Sequence, residues 1–85
     1  MAIVWHREFE QNVVYLRRSD ADEWIVGAVN AEHFRQGKLS LDEMACSSQE
    51  EAVELTADQC SREAFGRLEE DYLDQLTNEL QRQLL

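Results

Sequence analysis

Apolar residues in the first third of the chain form three short runs: Ile3 to Phe9, Val13 to Arg17 and Trp24 to Val29. The runs are rich in β-branched and aromatic residues, which favour strands. The breaks between them, Glu10 to Asn12 and Ser19 to Asp22, are short and polar, as in hairpin turns. We therefore predict an α+β fold, with a small antiparallel three-stranded sheet, an N-terminal meander over residues 1–30, packed against C-terminal helices.

Residues 21–36 also permit a helical interpretation. Ser19 or Asp20 would cap such a helix and Gly37 would end it. Gly27 would lie in its middle, at a cost of about 1 kcal/mol relative to Ala. We favour the strand, followed by one helical turn from Ala31 to Gln36 with Asn30 as its cap. Both interpretations of residues 21–36 stay open on the sequence.

For the middle of the chain, residues 31–55, we predict short helices or a connecting segment. Lys38 to Met44 is ambiguous, because Leu39 and Leu41 alternate as in a strand while Ser40-x-x-Glu43 resembles a capping box. Further on, Ser47-x-x-Glu50 and Ser48-x-x-Glu51 are both capping boxes. They predict a short helix that ends near Leu55.

A third capping box, Thr56-x-x-Gln59, predicts that a long amphipathic helix begins near Ala57 and spans residues 57–84. Gly66 would then lie inside a helix, at a cost of about 0.5–1 kcal/mol. That cost is explained either by neutral drift or by close approach of another backbone beside Phe65.

Apolar residues recur at every fourth position of this predicted helix: Cys60, Ala64, Leu68, Tyr72, Leu76, Leu80 and Leu84. A four-residue step advances about 40° around a helix, so the row winds away from a single face. We expect its first half to pack on the sheet. The last part of the row consists of Tyr72, Leu76, Leu80 and Leu84. It is covered either by residues 39–55 or by a second subunit or target protein.

The 85-residue chain has a net charge of −10, and the charge is unevenly placed. Residues 1–40 carry six acids and five bases, whereas residues 41–85 carry twelve acids and three bases. Within the predicted helix the acids opposite the apolar row are Glu63, Glu69, Glu70, Asp71 and Asp74. A helix dipole does not favour acids in mid-helix. Either these acids keep a small domain soluble, or they form a face that binds a partner.

Composition narrows the function classes. A chain of this length makes one domain, residues 1–85. Its acidity disfavours binding to nucleic acid and to anionic membranes. The sequence has no run of about 18 apolar residues, the length needed to span a bilayer. The N-terminus does not have the pattern of a secretory signal. Two cysteines are too few for a disulfide framework, which indicates free thiols and a cytoplasmic location.

The sequence carries no recognisable catalytic motif, so we do not expect an enzyme. The spacings of Cys46, Cys60, His6 and His33 match no zinc-binding pattern. We therefore expect no metal and no cofactor, and we place both cysteines in the core.

Two functions fit a small acidic domain. The first is a non-enzymatic inhibitor whose acidic helical face occupies a basic, nucleic-acid-binding surface of a target protein. Small acidic phage proteins that inhibit CRISPR or restriction systems act in this general way, a likeness of character rather than of matched residues. The second is a homodimeric assembly or regulatory module, antitoxin-like, that acts through the C-terminal leucine stripe. We favour the inhibitor.

Overall fold

The structure, a computed structural model, describes residues 2–84. Their elements in chain order are β1 (Ala2–Phe9), β2 (Asn12–Arg18), β3 (Trp24–Asn30), α1 (Ala31–Arg35), β4 (Met44–Cys46), α2 (Gln49–Glu63) and α3 (Glu70–Leu84). The predicted α+β class, with an N-terminal antiparallel meander and a long last helix, is confirmed.

Within residues 2–84 the sheet has four strands in the order β1-β2-β3-β4, and each neighbouring pair is antiparallel. The three predicted strands are present, and residues 24–30 are strand rather than helix. The fourth strand, β4, comes from the end of the ambiguous segment and pairs with β3 from Trp24 to Val26. The β1–β2 register shifts between Ile3 and Trp5, which marks a β-bulge in the edge strand.

The two sheet faces are covered differently. Val14 and Leu16 of β2 belong to the main core, which α2 and α3 close. Tyr15 faces the other side, where its ring lies 6.0 Å from that of Phe34 in α1. Because both faces of β2 are covered, residues 13–16 are all buried. This explains why the run Val13 to Leu16 is continuously apolar rather than alternating.

The short helix α1 follows the predicted signals. The Asn30 side chain accepts a hydrogen bond from the Glu32 N–H at 2.9 Å, so Asn30 is the N-cap. After the helix, Gly37 adopts a left-handed φ of 81°. Glycine takes this conformation without the crowding that a Cβ would cause, so the helix ends just before Gly37, as the sequence predicted.

The predicted boundary between the two long helices is wrong. Ser48 caps α2 as its capping box predicts, accepting from the Glu51 N–H at 3.1 Å. The helix then continues past Leu55, because Thr56 is an interior residue and not a cap. Thr56 is buried, and its hydroxyl donates to the Ala52 carbonyl at 2.6 Å.

The chain instead leaves the helix at residues 64–69, so the single predicted helix over 57–84 is two helices. Phe65 and Gly66 adopt left-handed φ angles of 57° and 71°. The Phe65 N–H donates to the Arg62 carbonyl at 3.0 Å and the Gly66 N–H to the Ser61 carbonyl at 2.8 Å. These two bonds form a Schellman motif, which ends α2.

Gly66 is therefore a turn residue and has no helix-interior cost. A Cβ built on it would meet nothing within 4 Å, so the interpretation as a close backbone approach is also wrong.

Candidate protein-binding surface

Both long helices cover one face of the sheet, since α2 contacts β2 and β3 while α3 contacts β1 and α2. In α2 the buried residues are Ala52, Val53, Thr56 and Cys60. Three exposed acids follow one another at four-residue spacing along α2: Glu50, Glu54 and Asp58. At 100° per residue Glu54 and Asp58 point away from the buried residues, and Glu50 lies at the edge of the buried face.

The second group of acids lies on α3. Glu70, Asp71 and Asp74 are exposed; Asp71 and Asp74 lie opposite the buried Leu76 and Leu80, and Glu70 lies at the edge of that side. Glu69, also exposed, precedes the helix, and its carbonyl accepts the Leu73 N–H at 3.0 Å. We call the combined set the outer acidic surface: Glu50, Glu54, Asp58, Glu69, Glu70, Asp71 and Asp74.

Some of these acids stabilise their own helix. Glu70 and Asp71 lie in the first turn of α3 and not in mid-helix, so the predicted conflict with the helix dipole is absent. An acid in a first turn stabilises a helix by about 0.3–1 kcal/mol. Glu54, Asp58 and Asp74 lie beyond the first turn. Like charges four residues apart destabilise a helix by about 0.2–0.5 kcal/mol. Glu54 lies four residues from both Glu50 and Asp58, so its charge is not explained by helix stability.

No acid of this surface forms an ion pair within the described part of the chain. The five ion pairs among residues 2–84 use other acids: Glu8, Glu10, Asp22, Glu43 and Glu79. The charge of the outer acidic surface is therefore directed to solvent or to a partner.

Glu63, the fifth predicted acid, is set apart from the other four. Its side chain is half-buried and accepts hydrogen bonds from Asn12 Nδ2 at 2.8 Å and from Gln59 Nε2 at 2.9 Å. It joins the end of α2 to the start of β2, which is a structural role within the domain.

The predicted leucine stripe is covered by other elements of the same domain. Leu76 and Leu80 are 1% and 0% exposed, and Tyr72 and Leu84 pack partly buried against the same core. The cover comes from β1 and α2 (residues 2–9 and 49–63), of which only the start of α2 falls in the predicted range 39–55. A partner would reach Leu76 or Leu80 only by opening the domain.

The arginines of the sheet are held by acids. The Arg7 guanidinium donates to Glu79, which also accepts from the Trp5 indole; the indole and the guanidinium together lower the pKa of that carboxyl. Arg17 holds Glu43 through two hydrogen bonds of 2.8 Å and lowers its pKa. Two arginines of the sheet, Arg7 and Arg17, are therefore neutralised by acids of the same domain.

Two features of this molecule were not predicted from the sequence. One is the α2 row, although its four-residue spacing is visible in the sequence. The other is that Phe65 and Leu41 are 73% and 101% exposed. Their exposure depends on turns that the sequence did not locate.

No protein-family model, curated protein or solved structure matches this chain. Within residues 2–84 no helix has both the length and the apolar character needed to cross a bilayer. The same residues contain no group of three or more His, Cys, Asp or Glu side chains arranged to hold a metal ion.

Proposed function

We propose that this protein is a non-enzymatic, protein-binding inhibitor. In this proposal the outer acidic surface occupies a basic surface of a target protein that otherwise binds nucleic acid. The observation that supports it most strongly is the arrangement of seven exposed acids on the two long helices and at the start of α3, none of which forms an ion pair within residues 2–84.

The distribution of charge favours such a target. Residues 49–84 carry ten acids and three bases, a net charge of −7, whereas the sheet and its loops have a net charge of −3. Acids four residues apart lie about 6 Å apart along a helix axis. Two helices side by side therefore present rows of negative charge, as a phosphate backbone does. A basic groove would attract such a surface and associate with it rapidly.

The proposed setting is a reducing cytoplasm, consistent with Cys46 and Cys60 as buried free thiols. Inhibition of the anti-CRISPR or anti-restriction type fits this chemistry, because those targets bind nucleic acid through basic grooves.

The test is capture of proteins from a bacterial lysate on immobilised protein, at about 50 and about 200 mM salt. Nucleic-acid-binding proteins should be retained, and competing duplex DNA should release them. Retention should fall by at least about tenfold between the two salt concentrations, because the contacts are ionic. A salt-independent capture would rule out the charge mechanism.

Two charge-reversal variants separate a local surface from bulk charge. The first carries Glu54→Lys, Asp58→Lys and Asp74→Lys. Its control carries Asp20→Lys, Glu23→Lys and Glu32→Lys, all exposed residues outside α2 and α3. Both change the net charge equally, and only the first should abolish capture. Equal losses would show that net charge alone is responsible.

A further inference from the structure

Phe65 is an exposed aromatic residue in a turn between the two acidic helices. Its side chain is 73% exposed, and it lies in the segment 64–69 that joins α2 to α3. The α2 row precedes it in the chain, and Glu69 to Asp71 follow it. Among residues 2–84 the only other large apolar side chain that is exposed is Leu41.

The backbone at Phe65 is unfavourable for a side chain. Its φ of 57° places it in the left-handed region, at the C′ position of the Schellman motif where glycine is the usual residue. A Cβ in this region crowds the following carbonyl. The ring recovers little of this cost through burial, because most of it is in solvent. Folding alone would therefore favour glycine at this position.

An arginine lies next to the Phe65 ring. The Arg67 guanidinium carbon lies 5.7 Å from the centre of the Phe65 ring, and Arg67 Nη1 lies 3.4 Å from Glu10 Oε1. Both side chains of the Arg67–Glu10 pair are more than half exposed. Arg67 therefore lies in solvent beside the Phe65 ring, within reach of the turn that follows β1.

We propose that Phe65 is the apolar anchor of the outer acidic surface and inserts into an apolar cleft, bordered by basic residues, on the target protein. This inference rests on the proposed function and specifies its partner. Exposed acids accelerate association, whereas buried aromatic anchors supply much of the affinity in protein interfaces. Residues with strained backbone conformations cluster at active sites and ligand-binding sites.

The test uses two synthetic ten-residue peptides of equal charge, one alternating Arg and Leu and the other alternating Arg and Ser. Binding is followed by fluorescence anisotropy at low salt. The wild-type protein should bind the Arg-Leu peptide at least tenfold more tightly. Phe65→Gly should lose this preference and keep its affinity for the Arg-Ser peptide. Leu41→Ser, the control for loss of an exposed apolar side chain, should bind as wild type does.

The melting temperature of the same variants shows whether a change in binding comes from a change in folding stability. Phe65→Gly should raise Tm by about 4 °C, because glycine relieves the left-handed strain and a small domain responds strongly to such changes. A lower Tm would overturn the argument from strain. A preference for the Arg-Leu peptide that survives Phe65→Gly, or that wild type lacks, would overturn the anchor alone. Salt-independent binding, or none, of both peptides would overturn the proposed function as well.

Discussion

Arg7 on β1 and Glu79 on α3 are joined by two hydrogen bonds, from Arg7 Nη2 to Oε1 at 3.0 Å and to Oε2 at 2.7 Å. The indole Nε1 of Trp5 donates to the same Oε2 at 2.7 Å. One carboxylate thus fixes the last helix to the first strand. The pair is partly exposed, with 34% and 40% of the two side chains accessible, so water screens it.

Glu79→Gln should lower the free energy of unfolding by about 1 kcal/mol at pH 7, because the amide loses the charge that both donors stabilise. The Trp5 and Arg7 hydrogen bonds hold the pKa of Glu79 below its ordinary value. The carboxylate therefore contributes stability above its unfolded pKa, and this contribution disappears as the pH falls through the lowered folded value.

Urea denaturation at neutral and acid pH measures this. The difference between wild type and Glu79→Gln should vanish on acidification. Asp74→Asn, which changes an exposed carboxylate that forms no ion pair within residues 2–84, should stay within about 0.5 kcal/mol of wild type at neutral pH. A Glu79→Gln difference that is independent of pH would contradict the role of charge.

Gly27→Ala should be strongly destabilising, at about 2–3 kcal/mol. Gly27 pairs with Tyr15 across β2 and β3, and a Cβ at Gly27 would overlap the Tyr15 hydroxyl and Cζ. The tyrosine does not move aside freely, because its hydroxyl donates to Glu43 at 2.5 Å and accepts the Ser40 N–H at 3.0 Å.

A double-mutant cycle with Tyr15→Leu tests this overlap by urea denaturation. In the Tyr15→Leu background the Gly27→Ala change should cost much less, because the hydroxyl and the ring carbon are gone. The same cost in both backgrounds would place the effect in the backbone of β3 and not in the contact with Tyr15.

The parts of the fold that the sequence predicted well are those with local causes. The β-branched and aromatic runs determined the three long strands, and the Asn30 cap and Gly37 stop determined α1. The predicted end of α2 was wrong because a Thr-x-x-Gln pattern does not distinguish a cap from a buried threonine that bonds its own helix. The true break was hidden because its first left-handed residue is Phe65.

The candidate site was predictable in part. Glu69, Glu70, Asp71 and Asp74 are exposed as expected of a surface, but Glu63 is engaged by Asn12, 51 residues away. No local pattern reveals such a contact. The leucine stripe was ambiguous for the same reason, since its cover by β1 depends on how the whole chain folds.

The two cysteines should resist alkylation in the folded protein. Cys60 is 0% and Cys46 7% exposed. Burial raises the pKa of the Cys60 thiol to about 12 and also raises the pKa of Cys46. Since the thiolate is the reactive form, iodoacetamide at about pH 8 should modify both at least about 100-fold more slowly than in urea. Asn78→Cys, on an exposed site of α3, is the fast-reacting control; equally fast modification of the native cysteines would contradict their burial.

Leu80→Ala should lower the free energy of unfolding by about 2–5 kcal/mol, because it removes a fully buried side chain from the core. Leu41→Ala, a matched change at a fully exposed leucine, should cost less than about 0.5 kcal/mol. Urea denaturation gives both values, and sedimentation compares the mass of the folded variants. If Leu80 were instead a docking residue, Leu80→Ala would leave the unfolding free energy unchanged and alter only association. That result would reopen the leucine stripe as a binding surface.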